Sequence, residues 1–339
     1  MPDADIAERI RTWPLVRLTE AYPLVRDFLL NLNLPALDTA KPLDQAVAAV
    51  DSQWLEEFGL NAAELPDRLI YFLEAMAEAE PARRVASLTI LGGRDKSGQA
   101  EAAECTIHAG EAVSIVGPTG SGKSRLLADI ECLAQGDTPT GRRILLNGKA
   151  VSEEDRFRFE GRIIAELSQN MNFVMDLTVA EFLDMHARSR MADAVEALTE
   201  RCFQQANKLA GERFSRQTKV TQLSGGQSRS LMIADCAYMS NSAIVLIDEI
   251  ENAGVDRREA LALLSRHGKL VLIATHDPLL ALGAAKRLVI RNGGIFRALE
   301  TSPTEKACLE ELEQIDLILS RTRSRLRAGD RIAGPLGQH

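Results

Sequence analysis

Aromatic residues make up only 4% of the 339 positions, and no Phe, Tyr or Trp stands between Phe72 and Phe157. A long middle stretch therefore offers no ring on which a flat ligand could stack. Cysteine is scarce as well. Cys105, Cys132, Cys202, Cys236 and Cys308 are scattered and odd in number, with no C-x-x-C pair. That excludes a disulfide framework or a cysteine zinc site and fits reduced thiols in a cytoplasmic protein. Long apolar runs are missing: a stretch such as 243–247 is far below the ~20 residues a bilayer span requires. Met1-Pro2-Asp3-Ala4-Asp5 has neither the basic nor the apolar block of a signal peptide. Positive charge is not in surplus either. With 40 Lys and Arg against 48 Asp and Glu, the net charge is −8, which argues against a general polyanion binder and gives no sign of nucleic-acid recognition. What is present is apolar residue, 45% of the chain, enough for a sizeable core in one large domain or two moderate ones.

Residues 1–80 read as a small helical domain. Leu15, Leu18, Tyr22, Val25, Phe28 and Leu32 recur at three- and four-residue steps, as do Leu43, Val47, Val50 and Trp54, and later Leu65, Leu69 and Leu73. Pro23, Pro35, Pro42 and Pro66 mark helix starts. An Ala/Glu-rich stretch, 74–84, forms the boundary. The phrase LTEAYPLVRDFLL followed by PLDQA faintly resembles helical domains that precede redox and iron–sulfur repair proteins. The cysteines of the repair version are absent, so the plain expectation is a docking or packing module.

From residue 85 the apolar period changes to two. Residues 87–91 and 103–108 predict paired strands, 142–149 a strand and turn, 175–212 mainly helix, 243–247 and 270–274 buried strands around a helix, and 288–295 a closing hairpin. Strands alternating with helices predict an α/β fold with a largely parallel sheet. No internal repeat is present. The tail, 301–339, predicts one helix through Leu309, Leu312, Ile315, Leu317 and Ile318. It ends in Arg321, Arg323, Arg325 and Arg327, which alternate between faces and read as a solvated end.

The chemistry centres on Gly117-Pro118-Thr119-Gly120-Ser121-Gly122-Lys123-Ser124, which fits the phosphate-binding P-loop. An apolar strand pattern, 112–116, precedes it, and Leu126, Leu127, Ile130 and Leu133 follow at helical spacing. Glycines let backbone approach a phosphate, and N–H groups at a helix start face the anion. Lys123 adds a point charge for the β- and γ-phosphates, and Ser124 a hydroxyl for Mg²⁺.

Downstream come Ser168-Gln169-Asn170, then Leu223-Ser224-Gly225-Gly226-Gln227. An apolar strand ending in Asp248-Glu249 follows, and after it Thr275-His276-Asp277. This order resembles the ATP-binding cassette ATPases over roughly 85–300. The resemblance implies a P-loop cassette with a parallel sheet core, an antiparallel β subdomain and a helical subdomain near 160–240. It implies ATP and Mg²⁺ as ligands, with Ser124, Asp248 and Gln169 around the metal. Glu249 polarises the attacking water, Gln169 reports on the γ-phosphate, His276 bonds that phosphate, and Asp256 lines a dimer interface. Two cassettes would pack head to tail, so that Ser224, Gly225, Gly226 and Gln227 close over the other chain's ATP.

Two departures shape the expectation of function. Adenine lacks its usual aromatic platform, leaving Arg94 or Leu91 to support it and predicting weak discrimination between ATP and GTP. Glu249 is followed by Ile250 rather than proline, as in non-transport relatives. With the helical N-terminal domain, this leans the reading toward a soluble ATPase that remodels a partner protein. The other reading is the nucleotide-binding subunit of a transporter, held at the inner face of the membrane by a separate permease.

Overall fold

The computed structural model describes the chain except residues 1–3, 23–24, 27, 30–31, 33–36, 49, 51–60, 62–63, 79–84, 160–162, 169–172, 190–193, 249–254 and 333–339. It divides into two compact units, Met1–Pro81 and Ala82–His339.

The first unit contains α1 (Ala4–Thr12), α2 (Leu15–Ala21), α3 (Leu43–Ala48) and α4 (Leu65–Glu78). Pro14 stands at the N-cap of α2, where its fixed φ and missing N–H cost nothing. Leu15, Leu18, Val25, Leu43, Val47, Leu65 and Leu69 are buried together, with Ile10 of α1 joining them. Phe28 and Phe72 pack with ring centroids 5.2 Å apart. Val16, next to Leu15 on α2, is 47% exposed. Trp54 and the prolines Pro23 and Pro35 lie outside the described residues.

The second unit holds two sheets. In the smaller one, β1 (Ser87–Leu91) runs antiparallel to both β2 (Cys105–His108) and β4 (Arg143–Leu146), and β5 (Lys149–Ala150) closes the edge. Its alternation of buried and exposed residues, as in β2, marks a sheet with one face on a core. The larger sheet has the order β10-β9-β3-β8-β7-β6. Here β3 (Ala112–Val116), β6 (Ile164–Leu167), β7 (Ile244–Asp248), β8 (Leu270–Ala274) and β9 (Lys286–Arg291) are parallel, and β10 (Gly294–Glu300) returns antiparallel. Every residue of β8 is buried, as a central strand covered on both faces requires. The helix after β3, α5 (Lys123–Glu131), packs its Leu126, Leu127 and Ile130 into the core that joins the two sheets.

Short α6 (Glu153–Phe159) precedes β6. A helical group, α7 (Val179–Ser189), α8 (Val195–Leu209) and α9 (Gly225–Tyr238), has its own core around Phe182, Cys202, Ala206 and Leu231. Helix α10 (Arg257–Arg266) leads to β8, and α11 (Pro278–Gly283) leads to β9. Last comes α12 (Pro303–Arg327), a 25-residue helix with no buried residue.

Candidate functional site

Because β3, β7 and β8 are parallel neighbours, their C-terminal ends open on one edge of the sheet. In such sheets ligands bind beyond the carboxyl ends of the strands. The register sets Asp248 beside Ala274, so the segment that follows β8 emerges level with the end of β7. The P-loop leaves β3 between β8 and β9.

The glycines of this loop are required sterically. Gly122 has φ +110°, and a Cβ there would come within 2.9 Å of Gly293 Cα. A Cβ on Gly117 would meet Ile290 O at 2.5 Å and Ser121 Oγ at 2.7 Å. The loop is thus wrapped against the β9–β10 turn, and Gly293 N donates to Ser121 O at 2.7 Å. Ser121 Oγ is buried without a hydrogen-bond partner among the described residues. A buried hydroxyl of that kind is costly to leave unpaired unless a ligand completes it.

Lys123 is buried, 6% exposed. Its Nζ donates to Gly117 O at 2.9 Å and lies 3.3 Å from His276 Nε2. Among the described residues the amine meets a carbonyl and an imidazole rather than a carboxylate. A buried ammonium in this setting is poised for an anion. Ser124 Oγ donates to Asp248 Oδ2 at 3.2 Å. Two adjacent hard oxygens at the mouth of a phosphate loop are donor chemistry that suits Mg²⁺. His276 is placed by its neighbour: Asp277 caps α11, accepting from Leu279 N at 2.7 Å, and is ion-paired with Arg257.

Several contributors had no local signal. Arg142 is fully buried; it pairs with Glu101, and its Nη1 donates to Asp129 Oδ2 at 2.8 Å. Its Nη2 donates to Gly293 O at 2.7 Å. One guanidinium therefore ties helix α5 to the turn that supports the P-loop. Lys96 Nζ donates to Gly120 O at 3.0 Å. Its own loop is fixed by Asp95, which accepts from Ser97 N at 2.8 Å and Gln99 N at 3.0 Å. Arg94, one of the two expected supports for adenine, donates to Gly98 O at 3.0 Å within its own turn. Lys96 is thus a second cation at the P-loop, beside Lys123. Leu91 is half-buried in β1.

A second carboxylate feature lies behind the site. Glu166 on β6 is held above the ordinary carboxylate range, first by burial and then by the charges of Glu131 and Asp248.

The Ser224 segment is built differently. Ser224 is the N-cap of α9, and its Oγ accepts from Gln227 N at 3.4 Å. Gln227 Oε1 accepts from Ser224 N at 2.9 Å, completing a capping box. Gln227 Nε2 donates to Glu212 O at 3.3 Å. Among the described residues, the hydrogen bonds of Ser224 and Gln227 stay within this cap and residues 212–213 and do not reach the P-loop. The structure therefore brings Lys123, Ser124, Asp248 and His276 together and leaves Ser224–Gln227 apart from them. Asp256 caps α10, accepting from Glu259 N at 3.0 Å. Gln169 and Glu249 lie outside the described residues.

Comparison with known proteins agrees with this geometry. The family model described as ABC transporter matches residues 100–252. An uncharacterized ABC transporter ATP-binding protein of Methanocaldococcus jannaschii is 51% identical over 249 residues, covering 73% of this chain and 95% of that protein. The macrolide export ATP-binding/permease protein MacB of Brucella abortus is 34% identical over 199 residues, 56% of this chain, and the match spans only 30% of MacB. The solved structure of CbiO1 from Clostridium perfringens, described as part of an ABC transporter complex, aligns with a TM-score of 0.50 at 21% identity. It covers 71% of this chain and 98% of that one, a likeness of fold.

Proposed function

We propose a function from one premise: the chain belongs to the ABC transporter ATP-binding family and is an ABC-type ATPase. On this reading it is the nucleotide-binding subunit of a transporter and drives a separate membrane permease by ATP-dependent closure of two cassettes. The lean toward a soluble remodelling role gives way here, because relatives that carry the same cassette are named as transporter ATP-binding proteins. Among the described residues no helix is long and apolar enough to cross a membrane, so a membrane-spanning path would be supplied by another chain or segment.

The observation that carries the reading is the Lys123–Ser124–Asp248–His276 cluster at one edge of the parallel sheet. The P-loop N–H groups and Lys123 bind the phosphates of ATP, and Lys123 leaves Gly117 O to do so. Ser124 and Asp248 would hold Mg²⁺, which neutralises charge on the β- and γ-phosphates. Gln169, by resemblance, joins them. His276, by resemblance, would donate to the γ-phosphate, and its contact with Lys123 supports that role. Glu249, one residue past Asp248, is the carboxylate that accepts a proton from the attacking water. Ser224, Gly225 and Gly226 present a helix N-terminus to the ATP of a second chain. The capping box uses the Ser224 hydroxyl as acceptor and leaves its proton free to donate to phosphate.

The test is assembly under ATP. Glu249→Gln keeps the shape of the side chain and removes the base, so it should trap a closed pair with Mg-ATP and not with ADP, read by light scattering after size exclusion. Ser224→Arg should abolish that ATP-dependent pair and leave ATP binding by one chain intact. A Glu249→Gln form whose mass does not change at saturating Mg-ATP would sink the two-cassette mechanism for the isolated chain. Purification from native membranes would check the permease, which should co-purify as a polytopic protein; a soluble complex in its place favours the remodelling role.

A further inference from the structure

Helix α12 carries a pattern that ATP binding does not use. Its N-terminal end is fixed: Ser302 and Glu305 form a capping box, and Arg287 of β9 bonds Glu305 at 2.6 Å. Arg257 and Arg258 of α10 reach Asp316 at 3.5 Å and Glu313 at 2.7 Å. These contacts occupy one face. Beside it, with Leu312 half-buried at its margin, Cys308, Leu312, Ile315, Leu319, Thr322 and Leu326 follow one another at steps of four, three, four, three and four residues. That is the a/d repeat of a coiled-coil seam. Ile315 is 54% exposed, Leu319 42% and Leu326 57%, so the seam stands open.

The charges along the helix are segregated. Before Leu317 there are five carboxylates (Glu305, Glu310, Glu311, Glu313, Asp316) and one lysine, Lys306, a net of −4; after it there are four arginines and no acid, a net of +4. The docked carboxylates Glu305, Glu313 and Asp316 are used within the chain, which leaves Glu310 and Glu311 facing outward. Among the described residues Arg321, Arg323 and Arg327 have no carboxylate partner, and Arg325 meets Asp330 at a long 3.6 Å.

We infer that α12 pairs antiparallel with α12 of a second copy of this chain. A two-fold axis beside Ile318 sets Leu319 against Ile315 and Leu326 against Cys308 of the other copy. It also brings Glu311 of each copy to Arg325 of the other. Those two residues flank the seam on the same side, each one position before a seam leucine. A parallel pair would set like charge against like along the whole helix. The two-fold arrangement makes the patch self-complementary, as an isologous interface requires. A seam this short would be marginal between free peptides because each would first have to fold. Here the helix is already formed and docked, so that cost is absent. The pairing needs no nucleotide and stands independently of the ATP sandwich, so the mass change of Glu249→Gln with Mg-ATP is read in the Ile315→Asp background, where the sandwich alone can join two chains.

Sedimentation equilibrium of the full chain, free of nucleotide, tests it. The wild type should self-associate, and Ile315→Asp should abolish the dimer. Glu311→Arg and Arg325→Glu should each weaken it about tenfold or more, and the double exchange Glu311→Arg/Arg325→Glu should restore it to within about threefold of wild type. All four variants should keep the wild-type circular dichroism and ATP affinity, since none touches the core or the P-loop. A wild type that stays monomeric without nucleotide overturns the pairing and leaves the seam for a different chain. So does a dimer that survives Ile315→Asp, a double exchange no better than the single ones, or a dimer that appears only with ATP.

Discussion

Two helices in this cassette begin with N–H groups set for an anion, and they are prepared in opposite ways. At α5 the surroundings are closed before any phosphate arrives: Gly293 lies against Gly122, Arg142 binds the turn behind it, and a buried lysine waits at the mouth. At α9 the helix start is satisfied by its own residues, Ser224 and Gln227. A site whose polar groups are held by distant parts of the fold is complete in one chain. One that caps itself is stable when empty, and so can wait for a ligand delivered by another molecule. The difference fits the proposed division in which α5 binds the nucleotide and α9 closes over that of a second chain.

The sharpest break is at Lys123. Lys123→Ala removes the only side-chain ammonium in the P-loop motif, and a charge-assisted contact to phosphate is worth roughly 2–3 kcal/mol. ATP affinity measured by calorimetry should fall about 30- to 150-fold. If α9 of the same chain were an equal partner in binding, Ser224→Arg would cause a similar loss; the contrast between the two variants measures how one-sided the site is.

Arg142 tests why α5 is ready in advance. Its guanidinium and the side chains of Glu101 and Asp129 are all fully buried. Arg142→Met would strand Glu101 in the core and leave Asp129 only its longer ion pair with Arg125 at 3.4 Å, and breaking a buried ion network from one side costs about 3–5 kcal/mol. Chemical denaturation should show that loss. The triple variant Arg142→Met/Glu101→Gln/Asp129→Asn removes the stranded charges and should recover part of it. Recovery of stability without recovery of ATP affinity would identify Arg142 as a positioning residue for the P-loop.

These contacts also mark the boundary of what can be read from sequence. The P-loop, Asp248 and His276 were legible because each motif lies in a few consecutive residues next to a buried strand, and strand order alone brings the strand ends together. The Arg142 network joins positions 101, 129, 142 and 293, and Lys96 meets Gly120 across a loop; no periodicity links them. The helical stretch between residues 175 and 212 was visible as amphipathic spacing, whereas helix α1 was not: Ile10 enters the core from a short segment, Ala4–Thr12, in which Ile6 is the only other large apolar residue. Adenine support was left between Arg94 and Leu91, and sequence distance alone does not show that Lys96 is the loop residue that bonds Gly120 O. Missed features with a local signal are the caps of α9 and α12, since Ser224-x-x-Gln227 and Ser302-x-x-Glu305 are themselves capping-box patterns.

The cap of α9 gives the smallest expected effect and the finest test of the contrast. Gln227→Ala removes the acceptor for Ser224 N and the link to Glu212 O, while Ser224 Oγ can still accept from the backbone of residue 227. Half of a capping box is lost, and N-terminal capping interactions are worth about 0.5–2 kcal/mol. The melting temperature should drop by only a few degrees, about 2–4 °C per kcal/mol for a unit of this size. Because no bond from this cap reaches the P-loop among the described residues, ATP affinity of the single chain should not change. Hydrolysis should fall by more than the stability loss explains, since a frayed helix start presents its N–H groups less well to the second chain's phosphate. An unchanged hydrolysis rate at the lowered melting temperature would mean that α9 needs no pre-formed cap to close. A fall in single-chain ATP affinity would mean instead that the two helix starts are coupled within one chain, and the division of labour between α5 and α9 would fail.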